Sequence, residues 1–108
     1  MAGRLSRGDV FLCRFGRPDK QRPVVILTRD SAIGYLTKIT VAPITSTIRG
    51  VPSEVVLDTE DGMRAACAVN LFNAVTVEQQ RLLRRVAHLS PDSMRKICTA
   101  LRFSLECG

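Results

Sequence analysis

The chain has 108 residues, 45% hydrophobic and 24% charged, with a net charge of +6. That length fits one domain, residues 1–108, around a single core, and the composition is ordinary for a soluble globular protein. A membrane-spanning helix is excluded because the longest apolar run, Pro23 to Leu27, is strand-sized.

The first predicted strand runs from Val10 to Phe15, and Gly16-Arg17-Pro18-Asp19 reads as a turn. A second strand from Pro23 to Thr28 opens on proline, where a missing N–H is tolerated. Asp30 to Gly34 is expected to be a loop. The Thr- and Val-rich Thr37 to Ile44 forms a third strand. A polar loop, Thr45 to Pro52, leads to a fourth strand at Ser53 to Leu57 and an acidic turn at 58–62. Ala65 to Asn70 is a fifth strand, Val77 to Leu82 a short helical stretch, and Leu83 to Leu89 another strand.

Ser90-Pro91-Asp92-Ser93 carries the marks of a helix start: a capping serine, proline in the first turn and an acid at the positive dipole end. Met94, Ile97, Cys98, Leu101 and Leu105 then recur at helical spacing as the predicted core stripe. Five to seven short strands closed by one helix predict an α+β fold built on a small barrel-like sheet.

Cys13, Cys67, Cys98 and Cys107 make no C-x-x-C spacing and, with the lone His88, complete no zinc pattern, so no metal site is expected. The amino-terminal MAGRLSRGDVF lacks an apolar signal core, which predicts a cytoplasmic protein with reduced thiols.

Charge is unevenly placed. Residues 1–52 carry nine Lys/Arg against three Asp/Glu, whereas residues 53–108 carry seven of each. A basic half of this kind draws polyanions, chiefly nucleic acid. Two features sit in that half. Arg22 opens the apolar run Pro23-Val24-Val25-Ile26-Leu27, and the run Val41-Ala42-Pro43-Ile44 ends in the hydroxyls of Thr45, Ser46 and Thr47. Strand ends lie at a sheet rim, where a side chain reaches a ligand from a fixed backbone. A guanidinium and hydroxyls together suit a phosphodiester, although the same residues also fit an ordinary charged strand start and a Thr-rich turn.

In chain order, the Arg7-Gly8-Asp9-Val10 opening, QRPVVILTRD, VAPITSTIRG and VPSEVVL resemble the MazF/PemK family of toxin endoribonucleases from bacterial type II toxin–antitoxin pairs. The resemblance spans residues 6 to 105. It implies a partly open antiparallel barrel of the SH3-like, CcdB/MazF type with a C-terminal helix. It also implies a homodimer that binds single-stranded RNA across its interface, and cleavage without metal or cofactor. Arg22 matches the family's catalytic arginine and Thr45 its catalytic threonine. The substrate's 2′-hydroxyl would be the nucleophile, with Arg22 stabilising the phosphorane and then donating a proton to the leaving oxygen.

Expected RNA contacts are Arg7, Arg17, Lys20 and Arg49 on phosphates, with Asp19 and Gln21 in the first loop and Ser46 and Thr47 beside Thr45. Phe72-Asn73 stands where relatives often carry an Asp-Gln or Asp-Asn pair; Phe72 could stack on a base. His88 suits a general base by type but lies far along the chain from both motifs, which favours a structural role. A cognate acidic, MazE-like antitoxin would cover the basic face. Two alternatives are a non-catalytic basic nucleic-acid-binding module and a gyrase poison of the CcdB type. The latter relies on a Trp-Gly-Ile tail, whereas this chain has no Trp and ends Leu105-Glu106-Cys107-Gly108.

Overall fold

A computed structural model describes residues 4–16 and 20–107. Its strands are β1 (Asp9–Arg14), β2 (Gln21–Ile26), β3 (Lys38–Thr45), β4 (Glu54–Leu57), β5 (Cys67–Asn70), β6 (Val75–Glu78) and β7 (Leu82–His88). A single-turn helix α1 (Asp30–Ile33) follows β2, and the long helix α2 (Pro91–Leu105) closes the chain. All strand pairings are antiparallel, in the order β4-β5-β3-β2-β1-β7, with β6 pairing the first half of β3. Among the described residues β4 and β7 do not pair, so the sheet stays open between them, as a partly open barrel does.

The central strands read as continuous apolar runs because both of their faces are buried. Val24 and Ile26 of β2 join Phe11, Ile39 and Val41 in one core cluster. Val25 joins Ala42, Ile44, Leu57, Val69 and Ile97 in the other, so alternate residues of a strand feed opposite cores. Ile97 and Ala100, both buried, are the contribution of α2 to this second cluster.

The start of α2 is fixed as its sequence predicts. Ser90 Oγ accepts from the Ser93 N–H at 3.1 Å, with Pro91 in the first turn. The Ser93 hydroxyl in turn donates to Asp61 Oδ1 at 3.0 Å. Asp61 belongs to a 3₁₀ turn (Thr59–Asp61) that is capped reciprocally: Asp58 Oδ1 accepts from the Glu60 N–H and Asp61 Oδ2 from the Asp58 N–H. The acidic turn is therefore an anchor for the helix.

Three expectations are corrected. Residues 30–33 form a helical turn, not a loop, because Ala32 and Ile33 are buried and the Arg7 N–H holds Asp30 Oδ1 at 2.7 Å. Of Val77 to Leu82, only Gln79–Arg81 is helical, and its flanks belong to strands. Val75 to Glu78 is a strand, where β-branched side chains pair with β3 and the Thr76 and Thr40 hydroxyls meet at 3.2 Å. Gln79–Arg81 is a short 3₁₀ turn in which Gln79 Nε2 donates to the carbonyls of Ile33 and Leu36. The buried stripe of α2 is Ser93, Ile97 and Ala100, with Met94 and Leu101 packed beside it, while Leu105 is 61% exposed.

Gly62, just after the acidic turn, has φ +93°, and a Cβ there would lie 3.0 Å from the Ala87 Cβ. Gly62→Ala is expected to destabilise the protein by about 1–3 kcal/mol through backbone strain and this contact. Urea unfolding checks it; an unchanged midpoint would contradict the packing described.

Candidate functional site

Arg22 is the second residue of β2, paired with Cys13 of β1, and Thr45 is the last of β3, paired with Ala68 of β5. Between β2 and β3 the ladder runs Ile26–Val41, Val25–Ala42, Val24–Pro43 and then stops. Pro23 and Pro43 lie at its end, and proline has no N–H to donate. Continuing the register by two residues sets Arg22 opposite Thr45 on one sheet face. Both backbones are thus fixed by outer neighbours while their side chains face an unladdered gap.

Thr45 is half-buried and its Oγ1 accepts from the Thr47 N–H at 3.1 Å. This locks the oxygen and leaves the hydroxyl proton free to be donated. The Arg22 side chain is exposed and makes no ion pair among the described residues.

An open cleft of about 1230 Å³ spreads from this pair. One wall holds Lys20, Gln21, Arg22, Thr45, Ser46 and Thr47, and the other holds Arg64, Cys67, Arg84 and Val86. Four cations and no carboxylate line it, so its field favours a polyanion. A smaller recess of about 170 Å³ shares Arg22, Thr45 and Thr47 and adds Pro43, Arg49, Glu54, Asn70 and Asn73. A further cleft of about 990 Å³ runs between Arg4–Ser6 and residues 78–80, lined by Asp30 and Glu78, and contains none of the expected site residues.

The structure therefore brings together Lys20, Gln21, Arg22, Thr45, Ser46 and Thr47, with Arg49 and Asn73 in the adjoining recess. Arg17 and Asp19 lie outside the described residues. Arg7 is placed elsewhere: its guanidinium donates to the Leu27 carbonyl and approaches Cys98 Sγ at 3.1 Å, bracing β2 against α2. Phe72 also turns away. Its ring packs against Phe103, with centroids 6.4 Å apart, and lines a groove along α2.

His88 is not in the cleft. Its Nδ1 meets Asp9 Oδ1 at 2.7 Å, while Asp9 Oδ2 takes the Ser6 N–H at 3.0 Å and Arg85 at 3.3 Å. Asp9 is almost fully buried, so this cluster ties β1 to β7 and satisfies a buried charge.

Arg64, Arg84, Glu54 and Asn70 were not legible as site residues. Alternation on β7 explains one of them. Arg85 faces Asp9 and the Phe11 ring, whereas Arg84 and Val86 face the cleft. The balanced charge of the second half hides this. Its acids are used structurally, in the Asp58–Asp61 turn and in the Asp92–Arg95 and Glu78–Arg81 pairs.

Among the described residues, no three His, Cys, Asp or Glu side chains gather as a metal cluster, and no helix is long and apolar enough to cross a membrane. Burial pushes the Cys67 thiol above its usual range, and the negative charges of Asp61 and Asp58 push it further. Burial does the same for Cys13, opposed in part by Arg81.

Residues 6–105 match the family of PemK-like, MazF-like toxins of type II toxin–antitoxin systems, and the chain belongs to that family. It is 43% identical over 104 residues to the probable endoribonuclease MazF5 of Mycobacterium tuberculosis, covering 95% of this chain and 94% of that protein. Against endoribonuclease MazF3 of the same organism it is 42% identical over 71 residues, covering 66% of this chain and 69% of that protein. The solved Mycobacterium tuberculosis toxin MazF-mt6 superposes with a TM-score of 0.85 at 31% identity, covering 93% of this chain and 98% of that one. A mycobacterial endoribonuclease in complex with its cognate antitoxin gives 0.87 at 25% identity, covering 97% and 98%.

Raised thiols are poor nucleophiles, since only the thiolate reacts. At pH 8, iodoacetamide is expected to label exposed Cys107 well before Cys67 and Cys13, with the last two gaining reactivity only as pH rises. Peptide mass spectrometry over time checks the order, and rapid labelling of Cys67 would contradict it.

Proposed function

We propose that this chain is the toxin of a type II toxin–antitoxin pair and acts as a sequence-specific endoribonuclease on single-stranded RNA, arresting translation and growth. The observation that carries this reading is Arg22 beside Thr45 at the mouth of a cleft with four cations and no carboxylate. The relatives named as endoribonucleases support the same reaction class.

The proposed nucleophile is the 2′-hydroxyl next to the scissile phosphate. As its oxygen bonds to phosphorus, that hydroxyl gives its proton to solvent water; the P–O5′ bond breaks and the departing oxygen takes a proton from Arg22, which regains one from solvent. Between these events the equatorial oxygens carry growing negative charge. The Arg22 guanidinium is placed to neutralise it and then to protonate the leaving oxygen. Thr45, its oxygen held by the Thr47 N–H, donates to a non-bridging oxygen. Such preorganised donors are the largest contribution in many enzymes, and loss of one costs about 3–4 kcal/mol. Lys20, Arg64 and Arg84 follow the flanking phosphates, with Gln21, Ser46 and Thr47 as neutral contacts. The cleft's lining of cations and hydroxyls is a poor donor set for a hard dication, which supports cleavage without one.

Two protein partners fit two separate surfaces, the cationic cleft and the exposed apolar end of α2. An acidic antitoxin segment, disordered until bound, would place carboxylates among the same cations and compete with RNA; the related mycobacterial endoribonuclease solved with its cognate antitoxin supports this. A second copy of the chain would cover exposed Phe72, Phe103 and Leu105 at the end of α2.

Arg22→Ala is expected to lower RNA cleavage at least about a hundredfold while leaving the melting curve unchanged. Arg22→Lys should restore little, because an ammonium cannot fork onto two phosphate oxygens. Discrete fragments from purified wild-type protein and single-stranded RNA, scored on gels, provide the measurement. Near-wild-type cutting by folded Arg22→Ala would overturn the assignment.

Cleavage should also persist in excess EDTA and yield 2′,3′-cyclic phosphate and 5′-hydroxyl ends. A single 2′-deoxy substitution at the cut should abolish it. Products bearing 5′-phosphates, or full loss of activity on chelation, would point to a different reaction.

A further inference from the structure

Alternation along β2 and β3 gives the two recesses opposite faces of the strand ends. Pro23 and Ile44 belong to the large cleft, whereas Pro43 belongs to the small recess; Arg22 and Thr45, at the rim, line both. The chemistry of the two differs. The large cleft has four cations and no carboxylate, while the small recess sets one carboxylate and two primary amides beside Arg22 and Arg49.

That carboxylate is held in place. Glu54 Oε1 accepts from the N–H groups of Arg49, at 2.9 Å, and Gly50, at 3.2 Å. Gly50 takes φ +71°, the left-handed conformation that lets both N–H groups turn onto one oxygen. Oε2 has no hydrogen-bond partner among the described residues, and neither does the amide of Asn73. Asn70 uses its Oδ1 to accept from the Phe72 N–H, which leaves its NH₂ available. A fixed carboxylate repels phosphate but accepts hydrogen bonds from amino groups, as acidic side chains do from the cytosine amine. At about 170 Å³ the recess suits one unstacked base and not a stretch of backbone.

We propose that this recess reads one base adjoining the phosphate held by Arg22 and Thr45, and that Glu54 selects a base presenting an amino group over uracil. Where cytosine presents its N4 amine, uracil presents its O4 carbonyl, acceptor against acceptor at the free Oε2. Asn73 and Asn70 supply the complementary polar contacts to the same base edge. The inference rests on the ribonuclease reading of the cleft and adds to it which side chains choose the sequence.

The test is end-mapping of cuts in a randomised single-stranded RNA pool. For the wild-type protein, one position beside the cut should exclude uracil by roughly tenfold or more. Glu54→Gln keeps an oxygen for the Arg49 and Gly50 N–H groups while putting NH₂ where Oε2 stood. It should shift that one position toward uracil by about tenfold, leaving preferences elsewhere unchanged. Asn73→Ala, at an exposed position that cannot upset the core, should weaken selectivity several-fold at the same position. If Glu54→Gln and Asn73→Ala cut the wild-type sites in the same ranking, or slow every sequence equally, the base-reading inference is overturned and the ribonuclease reading stands. If the wild-type protein cuts no RNA, both fall.

Discussion

The site depends on one constraint, the antiparallel register between β2 and β3 and where it ends. Three paired rows fix Val24, Val25 and Ile26 against Pro43, Ala42 and Val41. Because Cβ atoms of directly opposed residues share a face, that register alone sets Arg22 and Thr45 side by side, although 23 positions separate them in sequence. A slip of one residue would send one of them to the other face. The apolar runs that follow Arg22 and precede Thr45 oppose the slip, since alternate residues feed two different cores and a shift would put Val25 and Ile26 into the wrong one. Core packing thus specifies the placement of two exposed polar groups.

The rest of the molecule protects that arrangement from its own charge. Asp9 is buried among the Ser6 N–H, His88 and Arg85, which secures the outer strand pair β1–β7. The Asp58–Asp61 turn caps itself and receives Ser93, which fixes α2 over the second core. These acids are satisfied by backbone N–H groups, a hydroxyl or a paired cation, so none of them projects into the cleft. Arg7, whose position in the opening motif suggests phosphate binding, is likewise committed to the Leu27 carbonyl. Charge counted along the chain therefore misjudges charge in space: the cleft takes two arginines from the electrically balanced half and none from the Arg7 region.

Much of the fold was legible because its signals are strong and local. The capping serine and proline of α2 and the apolar runs of β2 and β3 each follow from side-chain chemistry at fixed spacing. Val77 to Leu82 misled because it is short: the strand state of Val77 and Glu78 comes from pairing with β3 and burial of Val77, which are tertiary facts, and only Gln79–Arg81 takes a helical turn. The stripe on α2 misled differently. Leu105 obeys helical spacing, yet it lies beyond Ile97 and Ala100, the buried residues of the stripe, and is 61% exposed. Of the site, the Arg22–Thr45 pair was visible as two strand ends. Arg64, Arg84 and Glu54 were not, because a turn, a two-residue alternation on β7 and a loop-pinning hydrogen bond bring them in from separate segments.

Arg22 borders two recesses of different character, one with cations and no carboxylate and the other with a carboxylate and two amides beside its arginines. Phosphate contacts position a nucleic acid and supply affinity, whereas base contacts carry sequence information. A cleft rich in Arg and Lys binds any strand and discriminates little, and its strength falls with salt. Discrimination needs a group that some bases satisfy and others oppose, and a carboxylate is such a group only where phosphate is kept away from it. The rim location of Arg22 and Thr45 meets both demands. Under the proposed reading, the phosphate would lie between the faces, so the backbone could run along the side of the cationic cleft while a neighbouring base turned to the side where Glu54 is fixed. Under that proposal, sequence choice and phosphate binding would act on adjacent parts of one nucleotide step, so a mismatched base would withdraw the phosphate from Arg22 and lower the rate as well as the affinity.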